Sequence, residues 1–264
     1  MGATARFRFV TALAVIALLL SSCGGGSSAA SSAAVGASTP VTFTTSDGVK
    51  LAGRLFGPVG ASAGVVLAHM LPADQQSWFA FAQRLADQGY RVLTFNFRGY
   101  CPGGDGGCSQ GVKQIDAAPT DLAAAIDRLR ADGVTRVGIA GASMGGTAAL
   151  LAAAADPKGI AAVVALSAPQ VLSGLAVGPD VLQRVTGAKL YIAGLGDPAG
   201  AAASADALLA MSPQPAQEEI VTDDAHGTDL LTAAQGQAVQ QLIERWFARW
   251  LAAPPSPAPT VTVP

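Results

Sequence analysis

Charge and histidine are both scarce in this chain. Only 13% of its 264 residues are charged, and 16 Lys and Arg nearly balance 18 Asp and Glu. A net charge of −2 gives no basic surface of the kind that binds nucleic acid. There are two histidines, His69 and His226, so any imidazole chemistry has two candidates. There are three cysteines, Cys23, Cys101 and Cys108; no histidine lies near the last two, and their spacing fits no common zinc pattern. A long hydrophobic run is missing as well. The apolar stretch 9–20 has about a dozen positions, too few for a comfortable membrane span. Hydrophobic residues nonetheless make up half the chain, alanine foremost. That suits one stable domain with a small-residue core and appendages at its ends.

Arg6 and Arg8 precede the apolar stretch, the layout of an export signal. The stretch ends in Leu20-Ser21-Ser22-Cys23, which resembles the lipobox of bacterial lipoproteins. The resemblance implies removal of residues 1–22 and lipid on the Cys23 thiol. The mature chain would then be anchored to the membrane, at the cell surface or on the periplasmic side. An ordinary secretory signal followed by a cysteine is the other reading, and both export the protein. Residues 23–40 are Gly, Ser and Ala with little else, and read as a flexible tether. Residues 252–264 are rich in Pro and read as a disordered tail. The folded part is expected over 41–251. If Cys23 carries lipid, Cys101 and Cys108 remain as a pair in an oxidising compartment, with a Gly-rich loop between them. A disulfide is expected there, with two free thiols as the alternative.

Within 41–251 the chain opens with two strands, 41–45 and 49–56, around the turn signal Ser46-Asp47-Gly48. Residues 64–68 form an apolar third strand, and Asp74 caps a helix that runs to about residue 88. A fourth strand covers 91–97, and a helix covers 116–131 with Leu122, Ile126 and Leu129 in register. Further strands are expected at 134–140, 160–166, 189–194 and 218–222. Helices are expected at 147–156, 204–211 and 234–251. Strands alternating with helices after a hairpin predict an α/β fold: a mostly parallel sheet of about eight strands, covered on both faces. Only about twenty residues separate the sixth and seventh strands, too few for a large cap domain.

The stretch Gly141-Ala142-Ser143-Met144-Gly145-Gly146 sits between a β-branched strand and an Ala/Leu helix. G-x-S-x-G at a strand-to-helix turn is a nucleophile elbow. The tight turn projects the serine hydroxyl from the sheet edge, and bulk two residues away on either side would clash. The Met144 amide then points the same way as the hydroxyl and can bind an oxyanion, aided by the helix dipole. A serine hydroxyl needs a base, and the base needs an orienting carboxylate. His226 follows the last strand, and Asp197 follows the seventh. The order Ser143, Asp197, His226 is that of the α/β-hydrolases. Asp223 and Asp224 are alternative acids, placed close to His226 in the chain.

These residues, with Phe97-Arg98-Gly99 after the fourth strand, resemble the α/β-hydrolase superfamily, and within it compact serine esterases and dienelactone-hydrolase-like members. The resemblance implies an α/β-hydrolase fold and a serine hydrolase that cleaves a carboxylic ester or thioester through an acyl-enzyme. No metal or organic cofactor is implied. Ser143 would attack the carbonyl, His226 would take its proton, and Asp197 would stabilise the imidazolium. In many such proteins the third strand ends in His-Gly, and a nearby amide completes the oxyanion hole. Here the pair is His69-Met70, so the glycine is missing, and the amide is that of Leu71 or Met70. His69 itself reads as a hydrogen-bonder that shapes the loop. Leu71, Trp78 and Met144 suggest an apolar acyl pocket. An acyltransferase for envelope lipids and a non-catalytic binding protein on the same fold are the competing readings.

Overall fold

The computed structural model describes residues 38–252. Cys23, the lipobox, tether residues 23–37 and the 252–264 tail beyond its first residue lie outside the described residues. The folded part starts earlier than expected: Thr39 and Pro40, assigned to the tether, pair with Leu55 and Arg54 in the first strand, because the hairpin register extends past residue 41. A hairpin of β1 (Thr39–Thr44) and β2 (Lys50–Phe56) opens the fold. There follow β3 (Ala63–Ala68), α1 (Phe79–Asp87), β4 (Arg91–Phe95), α2 (Ala118–Ala131), β5 (Arg136–Ala142), α3 (Met144–Ala155) and β6 (Ala162–Leu166). The short ribbon β7 (Val171–Leu172) and β8 (Leu175–Ala176) leads into α4 (Pro179–Leu182). The chain closes with β9 (Ala188–Gly194), α5 (Ala201–Met211), β10 (Ala216–Val221) and α6 (Gly236–Trp250).

Eight strands form one sheet in the order β1-β2-β4-β3-β5-β6-β9-β10. The β1–β2 and β2–β4 pairs are antiparallel, and every pair from β4 to β10 is parallel. The β7–β8 ribbon and α4 are all that stands between β6 and β9, so no large cap is present.

Alternation along the strands builds two cores. Val66, Ile139, Val163 and Ala165 face one side, with Leu122 of α2, Ala148 of α3 and Leu208 of α5. Val65, Leu67, Ala140, Val164 and Leu166 face the other, with Phe81 and Leu85 of α1 and Ile243 and Phe247 of α6. Successive strand residues point to opposite faces, so a strand buried on both sides is apolar throughout. In α6 the buried positions Val239, Ile243, Trp246 and Phe247 recur at helical spacing. Phe247 is fully buried, and truncating such a residue to alanine costs about 3–5 kcal/mol.

The expected first helix divides in two. Residues Gln75–Trp78 form a 3-10 turn, and the α-helix starts only at Phe79. Asp74 caps the turn as its sequence position suggests, its carboxylate accepting the Gln76 N–H at 2.8 Å. The third helix begins at Met144 rather than at 147, because the elbow turns straight into it.

Arg98 braces the loop after β4. Its guanidinium donates to Asp121 of α2 at 2.7 and 2.9 Å and to Asp47 of the opening hairpin at 2.7 and 3.0 Å. The Arg98 donors hold the Asp47 carboxyl at about 2, well below its ordinary value. Cys101 and Cys108 are joined by a disulfide that closes the loop after β4. Inside it, the Gly106 carbonyl accepts from the buried amides of Gln75 and Asn96 at 2.7 and 2.6 Å. An aspartate at position 96 has no hydrogen to donate there, which accounts for the asparagine. Among the described residues no helix is long and apolar enough to cross a membrane.

Candidate active site

Parallel strands of this kind carry their ligands beyond their carboxyl ends. The loops after β3, β5, β9 and β10 carry Leu71, Ser143, Asp197 and His226 respectively. Four of the residues singled out in the sequence therefore lie at the same edge of the sheet.

Ser143 stands between β5 and α3 with φ 47 and ψ −114. A non-glycine residue at positive φ costs about 1–3 kcal/mol, and such strain collects at functional sites. The two flanking glycines are required by contact. A Cβ at Gly141 would collide with the Gly145 carbonyl, and one at Gly145 with the Ala68 carbonyl at the end of β3. The turn is tied to β6 by Ser143 N–H, which donates to the Leu166 carbonyl at 2.8 Å. The N–H groups of Met144 and Leu71 donate to no other described residue, so both stay available to a ligand oxygen.

His226 Nδ1 and Asp197 Oδ2 are 2.7 Å apart. Asp197 has a fully buried side chain, while His226 is 27% exposed. The second Asp197 oxygen accepts the Ala199 N–H at 2.9 Å, which fixes the carboxylate plane. With Nδ1–H donated to Asp197, the neutral imidazole carries its lone pair on Nε2, as a general base requires. Ser143 Oγ and His226 Nε2 share no hydrogen bond here; such bonds are often long before substrate binds. Asp223 spends an oxygen on its own turn, accepting the Ala225 N–H at 2.9 Å. Of the three carboxylates near the histidine, Asp197 is the one that pairs with it.

The histidine turn is wedged against the elbow. A Cβ added to Gly227, at φ 57, would lie 2.5 Å from Met70 Sδ and 3.3 Å from Ala142 Cβ. Gly227 N–H donates to Ser167 Oγ at 3.0 Å. The sequence offers no signal for Ser167, because a serine closing an apolar strand resembles any strand end.

His69 is fully buried, with both ring nitrogens committed. Nε2 accepts the Phe97 N–H at 3.1 Å, so Nδ1 carries the proton and donates to the Met70 carbonyl at 2.9 Å. Burial lowers its pKa to about 4. It ties the loop after β3 to the end of β4 and has no nitrogen left for chemistry. Trp78 departs from the expected acyl pocket: it is fully buried and packs near Phe81 in the core. Met144 is almost as deeply buried, leaving Leu71 as the one partly exposed member of that trio. Among the described residues no cluster of His, Cys, Asp and Glu is arranged to hold a metal ion.

The fold and this edge of the sheet define a hydrolase-type α/β protein. The chain belongs to the alpha/beta hydrolase fold family, whose sequence model matches residues 65–228. Solved structures share the architecture. An esterase from Pyrococcus furiosus superposes with a TM-score of 0.67 at 19% identity, over 81% of this chain and 93% of that one. A dienelactone hydrolase from Anabaena variabilis gives 0.66 at 25% identity, over 81% and 98%. A thermophilic esterase from Thermogutta terrifontis gives 0.65 at 20% identity, over 81% and 100%. No curated protein sequence matches the chain significantly.

Proposed function

We propose that this protein is a serine hydrolase that cleaves a carboxylic ester or thioester through an acyl-enzyme. The observation that carries the reading is the 2.7 Å pair of Asp197 with His226 beside a serine on a strained elbow. Ser143 Oγ attacks the carbonyl carbon while His226 Nε2 takes its proton. The Met144 and Leu71 amides receive the oxyanion, and His226 returns the proton to the leaving group. Water then repeats the sequence on the acyl-Ser143 ester and releases the acid. Esterases and a dienelactone hydrolase among the structural relatives support the substrate class. The lipobox-like Leu20-Ser21-Ser22-Cys23 supports export and lipid anchoring at Cys23.

A panel of p-nitrophenyl esters of rising acyl length, run beside Ser143→Ala, tests the chemistry. A fluorophosphonate probe should label wild type and not Ser143→Ala. Retention of a tenth of the activity in that variant would remove Ser143 as the nucleophile. Metabolic labelling with a fatty acid tests the anchor separately: Cys23→Ala should lose the label, and equal labelling of both forms would end the lipoprotein reading.

A further inference from the structure

Ser167, immediately after β6, is one of three non-glycine residues held at positive φ among the described residues, at 48°. It is buried, and its hydroxyl accepts the Gly227 N–H at 3.0 Å. We propose that Ser167 is a positioning residue, which holds the His226 turn at the end of β6 and so sets the imidazole relative to Ser143. The proposal rests on the serine-hydrolase reading above.

The bonds around it form a frame. The carbonyl of the preceding residue, Leu166, accepts the Ser143 N–H at 2.8 Å. Ser167 N–H donates to the Ile192 carbonyl at 2.7 Å, in the strand that leads to Asp197. Two consecutive residues of the chain are thus bonded to the nucleophile turn, the acid-bearing strand and the base turn. The Asp197 bond holds one end of the imidazole; the Ser167 bond holds the backbone that carries it. Without that hydroxyl the buried Gly227 N–H loses its acceptor, and the turn must shift or admit water to satisfy it. A displacement of about 1 Å at a reacting group is enough to cost on the order of 100-fold. Glycine would fit φ 48 without strain, so the serine's hydroxyl, not the backbone, is what the position gains.

The test compares Ser167→Gly and Ser167→Thr in the full chain, with p-nitrophenyl butyrate turnover, fluorophosphonate labelling rate and Tm. Ser167→Gly removes the acceptor and relieves the backbone. Its kcat and labelling rate should fall about 10- to 100-fold, with KM within about twofold of wild type and Tm within a few degrees of wild type, because relief of the backbone strain offsets the lost hydrogen bond. Ser167→Thr keeps the hydroxyl but places a β-branched residue at positive φ. It should lower Tm while keeping most of the rate. A purely structural residue would instead move rate and Tm together. A Ser167→Gly rate within about twofold of wild type, or rate losses that track Tm, overturns the positioning role, and the glycine variant alone decides if the threonine form does not fold. A fully active Ser143→Ala would sink the hydrolase reading itself, and this proposal with it.

Discussion

The chain has two histidines at the same edge of one sheet, and the structure gives them opposite characters. His69 follows β3 in the centre, fully buried, with one nitrogen accepting and the other donating to backbone. His226 follows β10 at the margin, partly exposed, with Nδ1 on a buried carboxylate and Nε2 uncommitted among the described residues. A ring with both nitrogens spent is a structural strut. A ring with one nitrogen oriented and the other free has the arrangement that the proposed base needs. The difference lies in what surrounds each ring, since the residue type is the same.

The largest expected effects would break that comparison outright. On the proposed mechanism, Ser143→Ala and His226→Ala should each lower kcat by about 10⁶, as removing the serine or the histidine of a protease triad does. A His69→Gln protein that folds should keep a measurable rate, since its ring reaches no reacting atom. Equal losses at both histidines in steady-state assays would erase the distinction.

Next comes the carboxylate paired with His226. Asp197→Asn should cost about 10⁴ in kcat, because it favours the wrong tautomer and leaves the imidazolium unstabilised. Asp223→Asn and Asp224→Asn should stay within a few-fold. A near-normal Asp197→Asn beside a crippled Asp224→Asn would move the acid to the histidine's own loop.

The buried ring should show itself in stability rather than rate. Burial lowers the His69 pKa to about 4 from an ordinary value of 6.5. Between those values the unfolded chain binds a proton that the folded one refuses, so stability is lost as pH falls. The difference amounts to about 3 kcal/mol, present in full above pH 6.5 and gone below pH 4. Urea unfolding at pH 7 and pH 4 measures it, and His69→Gln should flatten the slope in that window. An unchanged slope would mean that other groups carry the acid dependence.

The smallest effect concerns the loop beside His69. Replacing both Cys101 and Cys108 by serine should cost about 2–3 kcal/mol, chiefly by releasing the unfolded chain from a short closed loop. Chemical denaturation of the oxidised protein and the double variant reads this. Identical midpoints would show that the Gly106 hydrogen bonds to Gln75 and Asn96 hold the loop unaided.

The sequence by itself determined the order of the sheet strands and main helices, the elbow around Ser143 and the places of Asp197 and His226 after two strand ends; the β7–β8 ribbon was not legible in it. Those signals are local: apolar periodicity within one element, and glycines that a tight turn demands. It also marked Cys101 and Cys108 as partners, through cysteine count and loop composition. Tertiary structure alone decided between Asp197 and Asp223, because both lie near a strand end and only the fold of separate loops puts a carboxylate oxygen against Nδ1. It moved Trp78 from a supposed pocket wall into the core, since an aromatic at helical spacing fits either place. It chose asparagine's role at position 96 and revealed Ser167, whose contact with Gly227 spans 60 residues. Contacts across such separations depend on how the sheet brings strand ends together, and no pattern within one segment records them.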